Sequence, residues 1–191
     1  RPAPPPRATR LEDADKKALL AFAREAIRRY LTTQTVPLPR NLPARAEVPQ
    51  GAFVTLRKSG QLRGCIGHIP GDRPLGRTVG AMALQAAFED PRFGPVQFAE
   101  LKDLEIEISV LTPVKPVASA DAVVPGRDGV VLSKDGTSAV FLPQVATENH
   151  WDRAEMLDQL CVKAGLRQGC WRRDARFQVF QADVFGESRF R

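Results

Sequence analysis

Residues 51–70, GAFVTLRKSGQLRGCIGHIP, contain the pattern that decides the fold. The runs at 52–58 and 62–69 each predict a β-strand, and the KSGQ segment between them, with Gly60, predicts the turn of a hairpin. Hairpins join antiparallel neighbours, so this stretch favours a sheet built from hairpins over a doubly wound parallel sheet. The second run also places Gly64 and Gly67 around Cys65, and this segment is therefore the first candidate for a functional site.

The rest of the chain extends this sheet and adds helices. Apolar residues recur at spacings of three and four in three segments, and they alternate with polar residues in others. Alanines and Gly80 in the second helical segment indicate a helix packed very close to a sheet. The predicted helices span 11–33, 77–90 and 151–166, and the further strands span 103–111, 129–143 (a hairpin turning at Asp135-Gly136) and 176–185. These elements predict an α+β fold, with a layered mixed or antiparallel sheet and flanking helices.

The composition is that of an ordinary globular chain with an excess of basic residues. The 191 residues are 43% hydrophobic and 26% charged, enough to bury a core as one large domain or two small ones. The formal charge of +6 arises at the two ends, from three arginines in residues 1–10 and from six arginines against three acids after residue 165. A duplex-binding protein needs its basic groups clustered on one folded face. The distribution therefore argues against a nucleic-acid partner.

The N-terminus and the cysteines bear on the cellular context. RPAPPPRATR, residues 1–10, is rich in proline and lacks apolar periodicity, which predicts a disordered leader before a single folded domain over residues 11–191. No apolar run approaches the roughly 20 residues that a membrane helix needs, so we expect no membrane association. Three cysteines, an odd number, argue against a disulfide framework and for a reducing compartment, so we expect a cytoplasmic protein.

Cys65 has two interpretations. A thiol reacts as its thiolate, which a nearby cation stabilises, and the spacing of two allows Arg63 to leave the strand on the same face. His68 lies three residues further on and reaches the thiol only if Gly67 bends the strand. The alternative is structural, because free cysteines are among the most buried residues and strand glycines often mark close backbone approach.

Metal binding has less support. Cys65 and His68 supply half of a ligand spacing, but a tetrahedral site needs two more ligands, and Cys161, Cys170 and His150 are scattered singly. Cys161 also lies on the apolar stripe of a predicted helix, which favours a core position. The sequence has no phosphate-binding glycine loop, nucleophile elbow or HExxH helix. We therefore predict neither a metal nor a cofactor.

Two pairs of charged residues also have two interpretations each. Asp90 and Arg92 flank Pro91 in a forced turn after a helix, where they either present a carboxylate and a guanidinium to a shared cleft or form a local ion pair. Glu105 and Glu107 share one face of a predicted strand, as an acid/base pair would, although two carboxylates on a wet sheet face are usually only solvated. Both pairs stay open at this stage.

Five sequence blocks occur in the order typical of the AMMECR domain family. They are GAFVTLRKSGQLRGCIG, ALQAAFEDPRFGPV, ELKDLEIEISVLTP, GVVLSKDGTSAVFLPQV and LDQLCVKAGL. The chain resembles this family over residues 11–185, and the bacterial branch of the family is called AmmeMemoRadiSam system protein A. The block LRGCIG, residues 62–67, is the family's hallmark, and we refer to it as the hallmark segment.

The resemblance implies an α+β fold of two subdomains separated by a cleft, with the hallmark segment close to that cleft. It also implies a system in which the protein accompanies a Memo-like protein and a radical S-adenosylmethionine (SAM) enzyme, and it implies no particular reaction. It points to Cys65 as the candidate catalytic residue. The candidate binding residues are Leu62, Arg63, Gly64, Ile66, Gly67, Asp90, Arg92 and Phe93.

Two functions from different classes follow from these observations. In the first, the chain is a non-catalytic module that binds a substrate or docks the two partner proteins. In the second, it is an enzyme in which the Cys65 thiolate attacks or carries a substrate group, while Arg63 and Arg92 bind an anionic portion of the substrate. We favour the first, because the sequence offers no evident general base beside the thiol.

Overall fold

The folded chain divides into two compact units. The computed structural model describes residues 10–191, so the predicted leader lies outside the described residues except for its last position. The first unit contains the chain up to Val110 and resumes with Val184–Arg191, whereas the second unit is Leu111–Asp183. The second unit is therefore inserted in the chain between two parts of the first.

The described residues form helices and strands that we number along the chain. The helices are α1 (Asp13–Thr33), α2 (Leu75–Phe88), α3 (Pro143–Glu148) and α4 (Arg153–Lys163). The strands are β1 (Ala52–Lys58), β2 (Gln61–His68), β3 (Leu104–Leu111), β4 (Lys115–Val117), β5 (Gly129–Lys134), β6 (Thr137–Phe141), β7 (Arg176–Phe180) and β8 (Ala182–Gly186). They make two four-stranded sheets, ordered β2-β1-β3-β8 and β4-β7-β5-β6. No helix within residues 10–191 combines the length and apolar character needed to cross a bilayer.

Helix α1 begins and ends where local chemistry requires it. Glu12 and Asp15 form a reciprocal capping box at its start, and their charges suit the positive end of the helix dipole. The apolar stripe predicted from the spacing is the buried face, on which Ile27 is fully buried. The helix ends where Gln34 adopts a left-handed conformation with φ of 56°.

The β1–β2 hairpin and its contact with α2 position the hallmark segment. The strands pair antiparallel, and Ser59 and Gly60 turn between them with φ of 51° and 77°, the left-handed conformations that suit a two-residue hairpin loop. Helix α2 packs on both strands. It comes so close to β2 that a Cβ added to Gly64 would fall on the carbonyl oxygen of Ala86. The predicted close approach of this helix to the sheet is confirmed.

Glu187 ties the C-terminal segment to the rest of the first unit. Its carboxylate oxygens accept hydrogen bonds from the Arg24 guanidinium at 2.6 and 2.7 Å, and one of them also accepts the backbone N–H of Ile106 at 2.9 Å. The same guanidinium donates to the carbonyl oxygens of Leu101 and Leu104. One carboxylate thus connects α1, β3 and the residues that follow β8.

The second unit is built around the β5–β6 hairpin and α4. The hairpin turns at Asp135 and Gly136 as predicted, with φ of 52° and 75°. Helix α4 starts at the capping residue Asp152, and Gly165, with φ of 80°, follows its end. The helix packs its apolar stripe into the core of this unit through Met156, Leu157, Leu160 and Cys161.

Two predicted boundaries are wrong, and one strand was not predicted. Residues 176–185 are not one strand, because β7 and β8 belong to different sheets and are separated by Gln181, whose N–H donates to the Thr112 hydroxyl at 2.8 Å. The second hairpin ends before Pro143, which instead begins α3 at a position that suits its missing N–H. The short strand β4 has only three residues and gave no periodic signal.

The argument against disulfides from the odd cysteine count also fails, because one bridge forms. Cys161, at the end of α4, is bonded to Cys170. The chain turns back after Gly165, where the N–H of Leu166 donates to the Cys161 carbonyl oxygen, so the two cysteines approach over nine positions. An odd cysteine count did not exclude a bridge, and it no longer argues for a reducing compartment. Cys161 is nevertheless fully buried, as its place on the apolar stripe predicted.

Candidate functional site

The hallmark segment lies on β2, which is an edge strand of the first sheet. Cys65 pairs with Thr55 and Gly64 pairs with Leu56, but Leu62 pairs with the next residue of β1, so Arg63 is an extra residue in the register. This irregularity is a β-bulge, a feature that breaks the alternation of side chains along a strand. The spacing of two, which would permit Arg63 and Cys65 to share a face on a regular strand, therefore no longer decides their orientation.

Asp90 binds the backbone of the hallmark segment. Its side chain, only 1% exposed, accepts the N–H of Cys65 at 3.0 Å, and it also accepts the N–H of Arg92 at 3.1 Å. The Arg92 guanidinium donates to both carboxylate oxygens, at 3.0 and 2.7 Å, and reaches the carbonyl oxygen of Cys65 at 3.3 Å. Both outward backbone groups of Cys65 are thus held by the turn that follows α2.

This arrangement has an electrostatic signature. The hydrogen bond from Arg92, assisted by the N–H of Cys65, lowers the pKa of Asp90 to about 2, although burial acts in the opposite direction. Asp90 and Arg92 therefore form a local ion pair that also holds the edge strand, while the Arg92 side chain stays 54% exposed.

Arg63 is engaged by a second carboxylate. Its guanidinium donates to Glu100 at 3.1 and 3.0 Å and to the carbonyl oxygen of Gly94 at 2.9 Å. Lys58 and the N–H of Gln97 also donate to Glu100, at 3.0 and 2.9 Å. The hydrogen bond from Arg63, followed by that from Gln97, lowers the pKa of Glu100 to about 2. Arg63 thus fixes the loop beside β2 through Glu100.

The thiol of Cys65 has a different set of neighbours from the one predicted. Cys65 is half-buried and outside the disulfide, and its Sγ lies 3.3 Å from the Thr55 hydroxyl oxygen. Arg92 acts on the thiol electrostatically, since the pKa of Arg92 is raised mainly by its hydrogen bond with Asp90 and also by the charge of Cys65. His68 is hydrogen bonded to Asp72 at 2.7 Å, an interaction that lowers the pKa of that carboxyl.

The remaining hallmark residues shape the surface around the thiol. A Cβ on Gly67 would fall on the ring of Phe53, and Ile66 packs against the core of the first unit. Leu62 is 38% exposed, and the Arg92 guanidinium lies over the Phe93 ring, 5.4 Å from its centroid. The segment therefore presents an apolar side chain and a guanidinium beside a backbone that two glycines keep closely packed.

Sequence reasoning missed three residues of this site: Thr55, Lys58 and Glu100. Glu100 had a usable signal, since Gln97 and Glu100 have the spacing of a capping box and do cap the 3₁₀ helix Phe98–Asp103. Thr55 had none, because its position opposite Cys65 depends on the hairpin register. Glu105, proposed with Glu107 as a possible acid/base pair, accepts the backbone N–H of Ser188 at 3.3 Å. Its pKa is lowered mainly by the hydrogen bond from the Ser188 side chain and less by that backbone N–H.

The residues considered as metal ligands serve other roles or lie apart. Cys161 and Cys170 are consumed by their disulfide, and His68 is bonded to Asp72. In the part of the chain that the structure describes, no three His, Cys, Asp or Glu side chains come together as metal ligands would.

Comparison with known proteins identifies the family. The AMMECR1 family profile matches residues 20–185, which contain the hallmark segment, Asp90, Arg92 and Glu100. The chain belongs to the AMMECR1 family. The family resemblance of the sequence blocks is thereby confirmed.

Relatives of this AMMECR1-family chain span nearly its full length. A protein of Methanothermobacter thermautotrophicus is 40% identical over 179 residues, which cover 90% of this chain and 93% of that protein. A protein of Thermococcus gammatolerans is 38% identical over 190 residues and 93% of each chain. Among solved structures, that of the uncharacterised protein PH0010 from Pyrococcus horikoshii has 35% identity and a TM-score of 0.89 over 93% of both chains. The α+β fold is thus shared with an experimental structure.

Proposed function

We propose that this AMMECR1-family protein is a binding module that holds a substrate or partner at its hallmark segment and acts with a Memo-like protein and a radical SAM enzyme. The observation that carries the proposal is that two carboxylates beside the segment are engaged in hydrogen bonds to other groups of the protein. Asp90 and Glu100, each with a pKa of about 2, bind backbone amides and guanidinium groups. Carboxyls this acidic are weak bases at neutral pH, but they preorganise a rigid surface.

The exposed groups of this region suit contact with another molecule. Leu62 is 38% exposed, the Arg92 side chain is 54% exposed, and Phe98, the first residue of the 3₁₀ helix that Gln97 and Glu100 cap, is 60% exposed. Arginine and aromatic residues are enriched at protein interfaces. An apolar side chain and a guanidinium held on a fixed backbone support binding without requiring a reaction at the thiol.

The test is complex formation with a Memo-like protein and a radical SAM enzyme, where the same genome encodes them. We expect a complex with a Kd below about 10 μM, and we expect Leu62→Ser to weaken it at least tenfold, the effect of about 1.4 kcal/mol at an interface. Val124→Ser is the matched control, because Val124 is equally exposed, at 37%, and lies in the second unit. Sedimentation velocity would measure the affinities, and no complex at micromolar concentration would contradict the proposal.

We propose the cytoplasm as the location of this module, because a radical SAM partner carries an iron–sulfur cluster that suits a reducing compartment. Structural disulfides are rare in that compartment outside hyperthermophiles. Measuring the redox state of Cys161 and Cys170 in rapidly quenched cells therefore tests the location. A fully oxidised pair in a mesophilic host would contradict a cytoplasmic location.

A second candidate function is an enzyme that uses Cys65 as a thiol nucleophile or carrier on an anionic substrate. It is favoured by the Thr55 hydroxyl 3.3 Å from Sγ and by the neighbouring charge of Arg92. An activated thiol would react with iodoacetamide with an apparent pKa below about 7, and Arg92→Gln would raise that value. Labelling of Cys65 only after denaturation would contradict the enzyme hypothesis and leave the binding module unaffected.

A further inference from the structure

A second surface of the first unit, separate from the hallmark segment, has the shape of a docking groove. It lies between α1, at Phe22 and Arg29, and the residues that follow this helix, where Val36 and Leu38 form the opposite wall. The groove has a volume of about 510 Å³. A hollow of about 210 Å³ adjoins it at Leu38 and extends to Arg77 in the first turn of α2. We call these two hollows together the α1 groove.

The wall opposite α1 exposes large apolar side chains on a stiff backbone. Val36 is 63% exposed and Leu38 is 61% exposed, while Pro37 between them is buried. Both side chains line the same hollow, and contiguous apolar surface of this kind is typical of binding grooves. Pro37 and Pro39 restrict the backbone of the wall, so little conformational freedom is lost when a partner binds there.

The groove also carries an excess of positive charge. Its guanidinium groups belong to Arg29, Arg40 and Arg77, all exposed, and its carboxylates belong to Glu25 and Glu47. Glu25 is already neutralised, because both its oxygens accept hydrogen bonds at 2.7 Å from the arginine three residues later on α1. Within residues 10–191, none of the three groove guanidiniums lies within 4.0 Å of a carboxylate oxygen, although the charge of Arg29 also acts on Glu25.

We propose that the α1 groove binds an extended segment of a partner protein that combines aliphatic and acidic residues. Its aliphatic side chains pack on Val36, Leu38 and Phe22, and its carboxylates pair with the three guanidiniums. Charge complementarity selects an acidic occupant, and the two exposed aliphatic side chains select a peptide. Single-stranded nucleic acids, by contrast, are bound on aromatic stacking surfaces. The inference does not rest on the role proposed for the hallmark segment.

A phage-displayed library of random decapeptides, selected on the full chain, tests this specificity. We expect enrichment of sequences that contain both Leu, Ile or Val and Asp or Glu. A fluorescein-labelled synthetic copy of the most enriched peptide should lose at least tenfold in affinity with Leu38→Ser and with Arg40→Glu, measured by anisotropy. Val162→Ser is the matched control, because Val162 is 51% exposed on α4 and lies outside the groove. Higher salt should weaken binding, since exposed charge pairs are screened.

Three results would overturn the proposal. The first is a selection without enrichment of acidic and aliphatic sequences. The second is an enriched peptide that binds the Leu38→Ser and Arg40→Glu variants as tightly as the wild type, with all proteins giving the same circular dichroism spectrum. The third is displacement of the peptide by an equal concentration of single-stranded oligonucleotide, which would show a general polyanion site. Peptide binding is measured without the system partners, so failure here is distinguishable from failure at the hallmark segment.

Discussion

Cys65 and Cys161 offer a comparison between the two units of the molecule. Both lie on regular elements among small or apolar residues, yet Cys65 is half-buried on an edge strand while Cys161 is fully buried in a disulfide. The two cysteines differ because different groups from neighbouring turns contact them. The turn after α2 delivers Asp90 and Arg92 to the backbone of Cys65, whereas the turn after α4 delivers Cys170 to the sulfur of Cys161.

The two regions are consequently stabilised by different kinds of interaction. The hallmark segment depends on buried and half-buried charges that bind backbone groups, so it is sensitive to acid and to steric change. The region around Cys161 in the second unit depends on a covalent bond within an apolar core, so it is sensitive to reductant. Substitutions in each unit and a change of pH test this contrast.

The largest effect is expected from closing the space between β2 and α2. Gly64→Ala places a methyl group on the carbonyl oxygen of Ala86, a backbone atom that cannot move without displacing the helix, so unfolding free energy should fall by about 3 kcal/mol. Gly94→Ala is the matched control, since no atom lies within 4 Å of its added Cβ. Urea denaturation measures both. A loss below about 1 kcal/mol for Gly64→Ala would contradict the close packing of the hallmark segment.

The disulfide should contribute nearly as much in the second unit. The double substitution Cys161→Ser and Cys170→Ser removes a short-loop bridge, for which a loss of about 3 kcal/mol is expected, and it should make the thermal midpoint insensitive to dithiothreitol. A protein carrying only Cys65→Ser should keep that sensitivity. Thiols can be counted in the wild-type chain after denaturation without reductant. A count of three reactive thiols would show that the bridge does not form.

A smaller effect is expected from Asp90, with a defined pH dependence. Its pKa is about 2 in the folded chain and near 3.8 without its partners, so its stabilisation is present above about pH 4 and is lost as the pH falls toward 2. Asp90→Asn should therefore cost about 2 kcal/mol at pH 7 and much less at pH 2. Asp13→Asn is the control, because its ion pair with Arg189 is exposed and should contribute under about 0.5 kcal/mol. An equal loss at both pH values for Asp90→Asn would contradict the electrostatic explanation.

The smallest effect is expected at the thiol itself. Cys65→Ser is nearly isosteric at a half-buried position beside the Thr55 hydroxyl, so the unfolding free energy should change by less than about 1 kcal/mol. Guanidinium denaturation of this variant beside the wild type is the measurement. A loss above about 3 kcal/mol would mark the sulfur as core packing and make Cys65 similar to Cys161 after all.

The sequence predicted those parts of the fold that depend on local chemistry. The turns at Ser59-Gly60 and Asp135-Gly136 require left-handed backbone, which glycine adopts readily, and the stripe of α1 requires only its helical period. The break at Gln181 escaped prediction because the strand-like pattern continues through a residue where the chain changes sheets.

The candidate site was predicted less well, for physical reasons. LRGCIG and the Asp90 turn were recognised, but the partner of Arg63 depends on a bulge that alters the direction of its side chain. The Cys161–Cys170 bridge depends on the reversal after α4, which the nine-residue spacing does not reveal. Alternation and spacing describe one element at a time, whereas the site is assembled from β1, β2, the turn after α2 and the 3₁₀ helix that contains Glu100.

The insertion of the second unit between β3 and β8 has a consequence for biosynthesis. β8 is the neighbour of β3 in the first sheet, and Glu187 follows it, so the ribosome must add more than 70 residues after β3 before that sheet can be completed. At about 5–20 residues per second this interval lasts several seconds, during which β3 presents an unpaired strand edge of the kind that promotes aggregation. Nascent chains should therefore need a chaperone at this stage, and their first unit should resist protease only after the last residues have emerged.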